Sequence, residues 1–436
     1  MNRYLSWGRY PKVEQKVVVP HWLDQLPELL NGAQPFLGQG LGRSYGDVCL
    51  NDRGTLLRLS ALKRLINFDP EEGLLTAESG FSLADIIEFA VPKGWFLPVS
   101  PGTKFVTLGG AIANDIHGKN HHCAGTFGVH VQSFRLLRSD GNLYDCSREK
   151  NSELFSATIG GLGLTGIILD CTVQLKRIHS ALIDAEFLQF KGLDHFFELS
   201  KNSSQQFEYT VAWLDCVASG SNFGRGVFIR SNHAKSNRPI VLPKKLPALP
   251  IPFDFPEWAL NRLSISAFNS LYFHKQIKPE VAKQVGFDPF FYPLDGALNW
   301  NRIYGKRGFF QFQCVLPHSN GEESIKLMLK RVVEYGNASF LAVLKEFGDL
   351  PSPGMLSFPR PGVTLCLDFP QAGGSSLKLL NELEVLVNKF GGAMYAAKDA
   401  LMSPESFKSH YPRWQEFLQQ RDPKFSSCFS RRIFGY

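Results

Sequence analysis

Short apolar runs near the start of the chain predict strands at Leu56–Leu59, Leu65–Asp69 and Leu74–Glu78. Pro70–Gly73 supplies turn chemistry between the last two. The period then changes. Ser82 predicts a helix start, with Asp85 three residues on as the partner of a capping box and Ile86, Ile87 and Ala90 on the apolar face. Phe96–Val99 returns to strand. Val131–Leu137 and Leu143–Cys146 flank Asp140-Gly141, a dipeptide that favours a hairpin turn, and Thr172–Arg177 alternates as a further strand. From about Ser180 to Gly392 aromatic residues crowd together (Phe187, Phe190, Phe196, Phe197, Phe207, Tyr209, Trp213), and strand-like pieces such as Phe309–Leu316 recur. This predicts a second, sheet-rich domain. Beyond it, Ser403-Pro404-Glu405 reads as a helix N-terminus with proline at its first position.

A chain of 436 residues is too long for one ordinary core, so two domains are expected. Apolar residues at 44% and charged residues at 20% are those of a soluble globular protein. The net charge of +7 is a mild excess, and no Lys/Arg run is interleaved with aromatics. Nucleic acid is therefore not an expected partner, whereas an acidic small molecule or an anionic membrane face is compatible. The eight cysteines are scattered without a CxxC pair, which gives neither a zinc spacing nor a disulfide framework. The N-terminal residues lack the apolar run of a signal peptide and no stretch approaches a membrane span, so a cytoplasmic location is expected. Ile240–Leu263 is apolar, basic and rich in proline, which bars a regular helix or central strand and predicts a surface loop or a lid.

The densest chemical signal is Ser100–Gly128, where glycines are mixed with His117, Lys119, His121 and His122. Glycine loops also occur at Gly38–Asp47 and Ile159–Ile168. Three such loops suit a long, multiply charged cofactor, because glycine lets backbone N–H groups approach a ligand closely. Gly161–Gly166 matches GxGxxG, but the helix-like segment precedes it and the strand-like one follows, the reverse of a Rossmann unit. Asp115, His117, His121, His122 and Cys123 have metal-ligand chemistry, yet Lys119 lies among them and Gly118 opposes a helix that would align His117 with His121. No metal is expected. Lys345, Lys398 and Cys366, by spacing alone, read as ordinary surface or core residues.

RSYGD, SPGT, GGAIA, DIHGKNHH and TIGGLGLTGII resemble the FAD domain of the vanillyl-alcohol-oxidase-type flavoproteins, and most closely its polyprenylphosphoryl-ribose 2′-oxidase branch. FYPLD, WNRIYG, QFQ, LKEFG, CLDFP and MYAAKD extend the likeness over almost the whole chain. The resemblance implies an α+β fold of two domains, with a split FAD domain (residues 1–179 and 393–436) around a substrate domain (residues 180–392). It implies that Gly40, Gly42, Arg43, Ser44, Tyr45, Gly46 and Asp47 cradle the pyrophosphate. Gly102, Thr103, Gly109, Gly110, Ala113, His117, Gly118, Gly125, Ile168 and Lys398 would line the rest of the FAD. Residues 38–47 contain no histidine, so the FAD is expected to be noncovalent.

The same resemblance implies oxidation of a secondary sugar hydroxyl, with Lys398 as cation or base and His117 as the rival base. Lys119, Arg302, Gln311, Gln313, Lys345 and Cys366 are the implied substrate contacts. The implied partners are a polyprenyl-phosphate sugar, a short-chain NAD(P)H-dependent keto-sugar reductase and a peripheral contact at the inner face of the membrane. Thr364 and Val211 depart from the residues usual in that branch, which leaves a soluble aldonolactone or alditol oxidase as the alternative.

Overall fold

The computed structural model describes residues 4–32, 35–236, 240–242, 248–336 and 341–435. Its N-terminal portion holds a parallel three-stranded sheet in the order Lys16–Val18, Thr55–Arg58, Phe36–Gln39. An antiparallel sheet of five follows, ordered Leu65–Asp69, Leu74–Glu78, Ile167–Gln174, Val131–Leu137, Leu143–Ser147. The hairpin expected around Asp140-Gly141 forms as read, with Gly141 at φ +82°. The strand expected at Phe96–Val99 is shorter: only Trp95–Phe96 pairs, with Lys176–Arg177, and the chain then leaves for the Ser100 loop. The helix Leu83–Ala90 begins at Ser82, whose Oγ accepts from Asp85 N at 3.1 Å while the Asp85 carboxylate accepts from Ser82 N at 2.9 Å.

An eight-stranded antiparallel sheet forms next, in the order Glu280–Gly286, Leu182–Phe190, Gly226–His233, Tyr209–Leu214, Ala342–Phe347, Gly362–Pro370, Phe309–Leu316, Ala393–Met394. Side chains alternate across a strand, and the two faces differ sharply. Phe310, Phe312, Cys314, Leu344, Leu365 and Leu367 are buried in one hydrophobic core with Ile325, Met328, Leu329 and Val332. Those last four recur at helical spacing along Gly321–Tyr335 and so seal that face. The intervening residues (Gln311, Gln313, Val343, Lys345, Thr364, Cys366, Asp368) border a cavity on the other face.

The C-terminal residues return to the N-terminal sheet. Phe36 N donates to Lys424 O at 2.7 Å and Ser426 N to Phe36 O at 3.0 Å. Arg432 joins two distant segments, reaching Asp47 at 2.8 Å and Asp399 at 2.9 Å. The helix Pro404–His410 is capped by Ser403, as its sequence predicts. Within the proline-rich stretch, residues 243–247 lie outside the described residues. Leu249–Pro250 pairs with Ala297–Leu298, and a helix, Arg262–His274, starts from the Asn261 cap. Among the described residues no helix is long and apolar enough to cross a membrane.

Candidate active site

The three glycine loops and the polar face of the eight-stranded sheet enclose one cavity of about 770 Å³. Gly40, Gly42, Arg43, Ser44 and Tyr45 border it from the first loop, and Gly102, Thr103, Gly109, Gly110, Ala113, His117, Gly118 and Lys119 from the second. Gly163, Gly166 and Ile168 border it from the third. The GxGxxG segment does connect a preceding helix, Ser152–Thr158, to a following strand, so its glycines serve close approach rather than a Rossmann turn.

Two residues expected at the pyrophosphate lie behind that wall. Asp47 turns away, and both its carboxylate oxygens accept from Arg432, at 2.8 and 2.9 Å. Its negative charge is thereby kept off a site expected to hold phosphate. Gly46 is packed against the Asp399 carbonyl so tightly that a Cβ would stand 1.5 Å from that oxygen. Gly125 also sits outside the cavity, in a turn at φ +67° beside Leu350. Arg302 is displaced altogether: its Nη1 donates to the carbonyls of Ile251 and Pro252 at 2.9 and 2.8 Å, which ties down the proline-rich stretch.

The remaining candidates converge. Lys345 Nζ lies 2.9 Å from His117 Nδ1 and donates to Gly118 O at 2.7 Å. Gln313 Nε2 lies 3.0 Å from His117 Nε2 and donates to Thr364 Oγ1 at 3.2 Å. The imidazole is thus gripped at both nitrogens, and its ring meets Phe347 at 4.9 Å between centroids. Burial, reinforced by Lys345, holds His117 well below its usual pKa, so it stands neutral near pH 7. Burial also brings Lys345 and Lys119 down to about 7. The Lys119 ammonium lies 4.4 Å over the Phe290 ring and donates to that residue's carbonyl.

Lys398 lines the same cavity, its Nζ 3.9 Å over the ring of Tyr45. Burial lowers its pKa, with Cys366 and Asp368 opposing. Asp368 is a site residue the sequence reading passed over. It is fully buried, accepts from Gln311 Nε2 at 2.6 Å and Tyr304 Oη at 3.4 Å, and burial pushes its carboxyl up to about 7. The signal was available: two residues beyond Cys366 on one strand, it shares that residue's face. Burial raises the Cys366 thiol to about 12, which leaves it protonated and weakly nucleophilic at neutral pH.

Two of the would-be metal ligands are engaged by other partners. Asp115 accepts from Ser352 and Ser357 at 2.5 Å each and from Gly128 N at 2.8 Å, while His122 Nε2 lies 2.9 Å from Phe207 O.

Whether the cavity suits FAD can be tested on its own atoms. Arg43 Nε, Ser79 Oγ and Asn114 Oδ1 are buried on its lining residues without a hydrogen-bond partner among the described residues. Each such group costs roughly 1–3 kcal/mol if left unpaired, so a polar ligand belongs beside them. Gly42 adopts φ +65°, a left-handed conformation that frees its backbone to turn toward the cavity, and Gly102 has open space where a Cβ would project. Donors at one end and apolar walls from Val106, Ile116 and Leu162 fit a cofactor with both phosphates and a flat ring.

Comparison with known proteins agrees. Residues 15–147 match the family model described as an FAD binding domain. The decaprenylphosphoryl-β-D-ribose oxidase of Mycolicibacterium smegmatis is 36% identical, over 99% of this chain and 97% of that protein. An uncharacterized protein of Streptomyces coelicolor is 32% identical over 81% of this chain and 99% of its own length. The L-gulonolactone oxidase of Scyliorhinus torazame is 33% identical, but over only 32% of each chain. The protein is an FAD-binding oxidoreductase of α+β fold, and it belongs to the family of the decaprenylphosphoryl-β-D-ribose oxidase of M. smegmatis.

Proposed function

We propose that this protein oxidises the 2′-hydroxyl of a polyprenylphosphoryl-β-D-ribose to the 2′-ketone. The observation that supports this most is the shape of the cavity: past the His117–Lys345–Lys398 cluster it continues over apolar side chains rather than closing. A free lactone or polyol leaves that extension empty, and the gulonolactone oxidase likeness covers too little of the chain to favour it.

FAD, when bound, would supply the two-electron acceptor that oxidation of the 2′-hydroxyl needs. Gly40, Gly42, Arg43, Ser44 and Tyr45 would hold its pyrophosphate end, and residues 1–179 with 393–436 would form the domain around it. Lys398 would present a fixed cation to the ring of the bound cofactor. His117, neutral and oriented by Lys345, takes the hydroxyl proton at Nε2 once the sugar hydroxyl replaces the Gln313 amide there, with Lys398 as the rival for that step. Lys119 and Lys345 offer N–H donors to the phosphate, whose negative charge favours their protonated forms, and Gln311 and Gln313 offer amide groups to the ribose hydroxyls.

The keto-sugar product suits reduction by a separate NAD(P)H-dependent short-chain reductase, which completes an epimerisation at carbon 2′. Peripheral membrane contact is supported by Phe253, Trp258, Leu263, Leu271 and Ile277, large apolar residues exposed on and around the Arg262–His274 helix. Flotation with anionic vesicles tests that contact; a Trp258→Ser/Leu271→Ser variant that still floats as wild type refutes it.

Anaerobic bleaching of the flavin band tests the activity. Bleaching by a polyprenylphosphoryl-ribose and not by alditols or lactones is expected. Bleaching by the free polyol or lactone alone would reassign the protein to the carbohydrate oxidases. Wild-type bleaching rates in Lys398→Ala would remove Lys398 from the mechanism, and the same result in His117→Ala would remove His117.

A further inference from the structure

The cross-strand register of the large sheet gives the cavity a direction. Gln313 pairs with Cys366, Cys366 with Val343 and Val343 with Trp213; the next row runs Val211, Ile229, Phe187, Val281. Apart from Lys283 on the edge strand and Lys275 at the end of the covering helix, the polar residues that the sheet side of the cavity presents lie on the strands at the first end. From Val343 to Val285 the cavity floor is apolar apart from Lys283, which lies 4.7 Å from the Phe187 ring at the edge strand. The roof over this floor is the helix Arg262–His274. Its Phe268 and Tyr272, one turn apart, stack on each other and line the cavity, and Tyr272 meets Trp213 at 4.6 Å. The helix is anchored by buried Asn269, whose Nδ2 donates to Asp215 Oδ1 at 2.9 Å.

We infer that the passage between the Val211–Ile229–Phe187 row and the Phe268/Tyr272 face of this helix is the subsite for the first isoprene units of the lipid tail. The inference rests on the proposed oxidation of a polyprenylphosphoryl sugar. A phosphate held by Lys119 or Lys345 leaves its prenyl ester at the start of this passage, whose apolar floor and roof run on to the edge strand, whereas the apolar residues Phe290, Phe291 and Leu294 lie beside Lys119's own end of the cavity. Four strand spacings at ~4.8 Å separate the Ala342–Phe347 strand from the edge strand, a length that accommodates about four isoprene units. Units beyond that emerge beside exposed Leu271 and Ile277. The sheet therefore acts as a ruler, sensing tail length up to its edge and no further.

The test uses the holoenzyme and β-D-ribose phosphodiesters with tails of one to six isoprene units. KM for anaerobic flavin reduction is expected to fall by at least about tenfold from the shortest tail to four units and then level off. Phe268→Ala and Tyr272→Ala, on a half-exposed helix face, are expected to raise KM for the longer tails while leaving the one-unit substrate unchanged. Calorimetry with geranylgeranyl phosphate, which lacks the sugar, is expected to show binding to the wild type and weaker binding to both variants. Oxidation with a KM independent of tail length would overturn the inference and spare the proposed activity. Binding of geranylgeranyl phosphate without oxidation of any ribose substrate would overturn the activity and leave the lipid subsite standing.

Discussion

Lys345 holds its amine 2.9 Å from Nδ1 of His117. Burial and this neighbouring charge both disfavour a second proton on the imidazole, so the ring stays neutral and available as an acceptor. Removing the amine in Lys345→Met is expected to raise the His117 pKa. Titration of His117 by 15N NMR in histidine-labelled holoenzyme checks this. A midpoint unchanged from wild type would show that Lys345 does not set that charge.

Gly46 is expected to tolerate no side chain. Its Cβ would fall 1.5 Å from the carbonyl oxygen of Asp399, a backbone atom that cannot rotate away. Gly46→Ala must push apart the first glycine loop and the segment that carries Lys398. A loss of about 3 kcal/mol or more is expected, together with a lower flavin content on purification. Thermal unfolding and the flavin-to-protein absorbance ratio report the two effects.

Arg432 spans Asp47 and Asp399, both almost fully buried. Arg432→Met leaves two carboxylates without their cation, expected to cost ~3–5 kcal/mol. Arg432→Lys, which keeps the charge but loses the forked geometry, is expected to fall between. Urea unfolding measures both, and a loss below about 1 kcal/mol in Arg432→Met would show that the carboxylates find other partners or water.

Asp368 is expected to govern part of the pH dependence of stability. Its folded-state pKa of about 7 lies above the ordinary 3.8, so the folded protein binds the extra proton between these values. Stability from this group is complete below about pH 4 and is lost as pH rises through 7, on the order of 4 kcal/mol in all. Asp368→Asn removes the titration, and its melting temperature is expected to fall less between pH 5 and 8 than that of wild type. Parallel profiles would exclude Asp368 as the source.

Much of the local structure was legible in the chain. Ser82 and Asp85 announce a capping box, Asp140-Gly141 a hairpin, and Ser403-Pro404 a helix start, because each depends on residues a few positions apart. The Phe96–Val99 strand came out short for a non-local reason: its partner, Lys176–Arg177, is only two residues long. Asp368 escaped notice although its alternation with Cys366 marks a shared face, since alternation does not say which face meets a cavity. Ser79 and Asn114 gave no signal at all; only a buried side-chain oxygen without a partner among the described residues distinguishes them.

The sequence by itself determined that three glycine loops would accept a long phosphate-bearing cofactor, and its motifs specified FAD. Backbone conformation at glycine is a local property, so spacing along the chain suffices to read it. The tertiary structure decided which charged residues share the cavity. It brought His117, Lys345 and Lys398 together from three separate segments, while Arg302 was drawn to the carbonyls of residues 251 and 252 and Asp47 to Arg432. A charged side chain settles where its desolvation is best compensated, and that balance depends on neighbours hundreds of residues away in the chain.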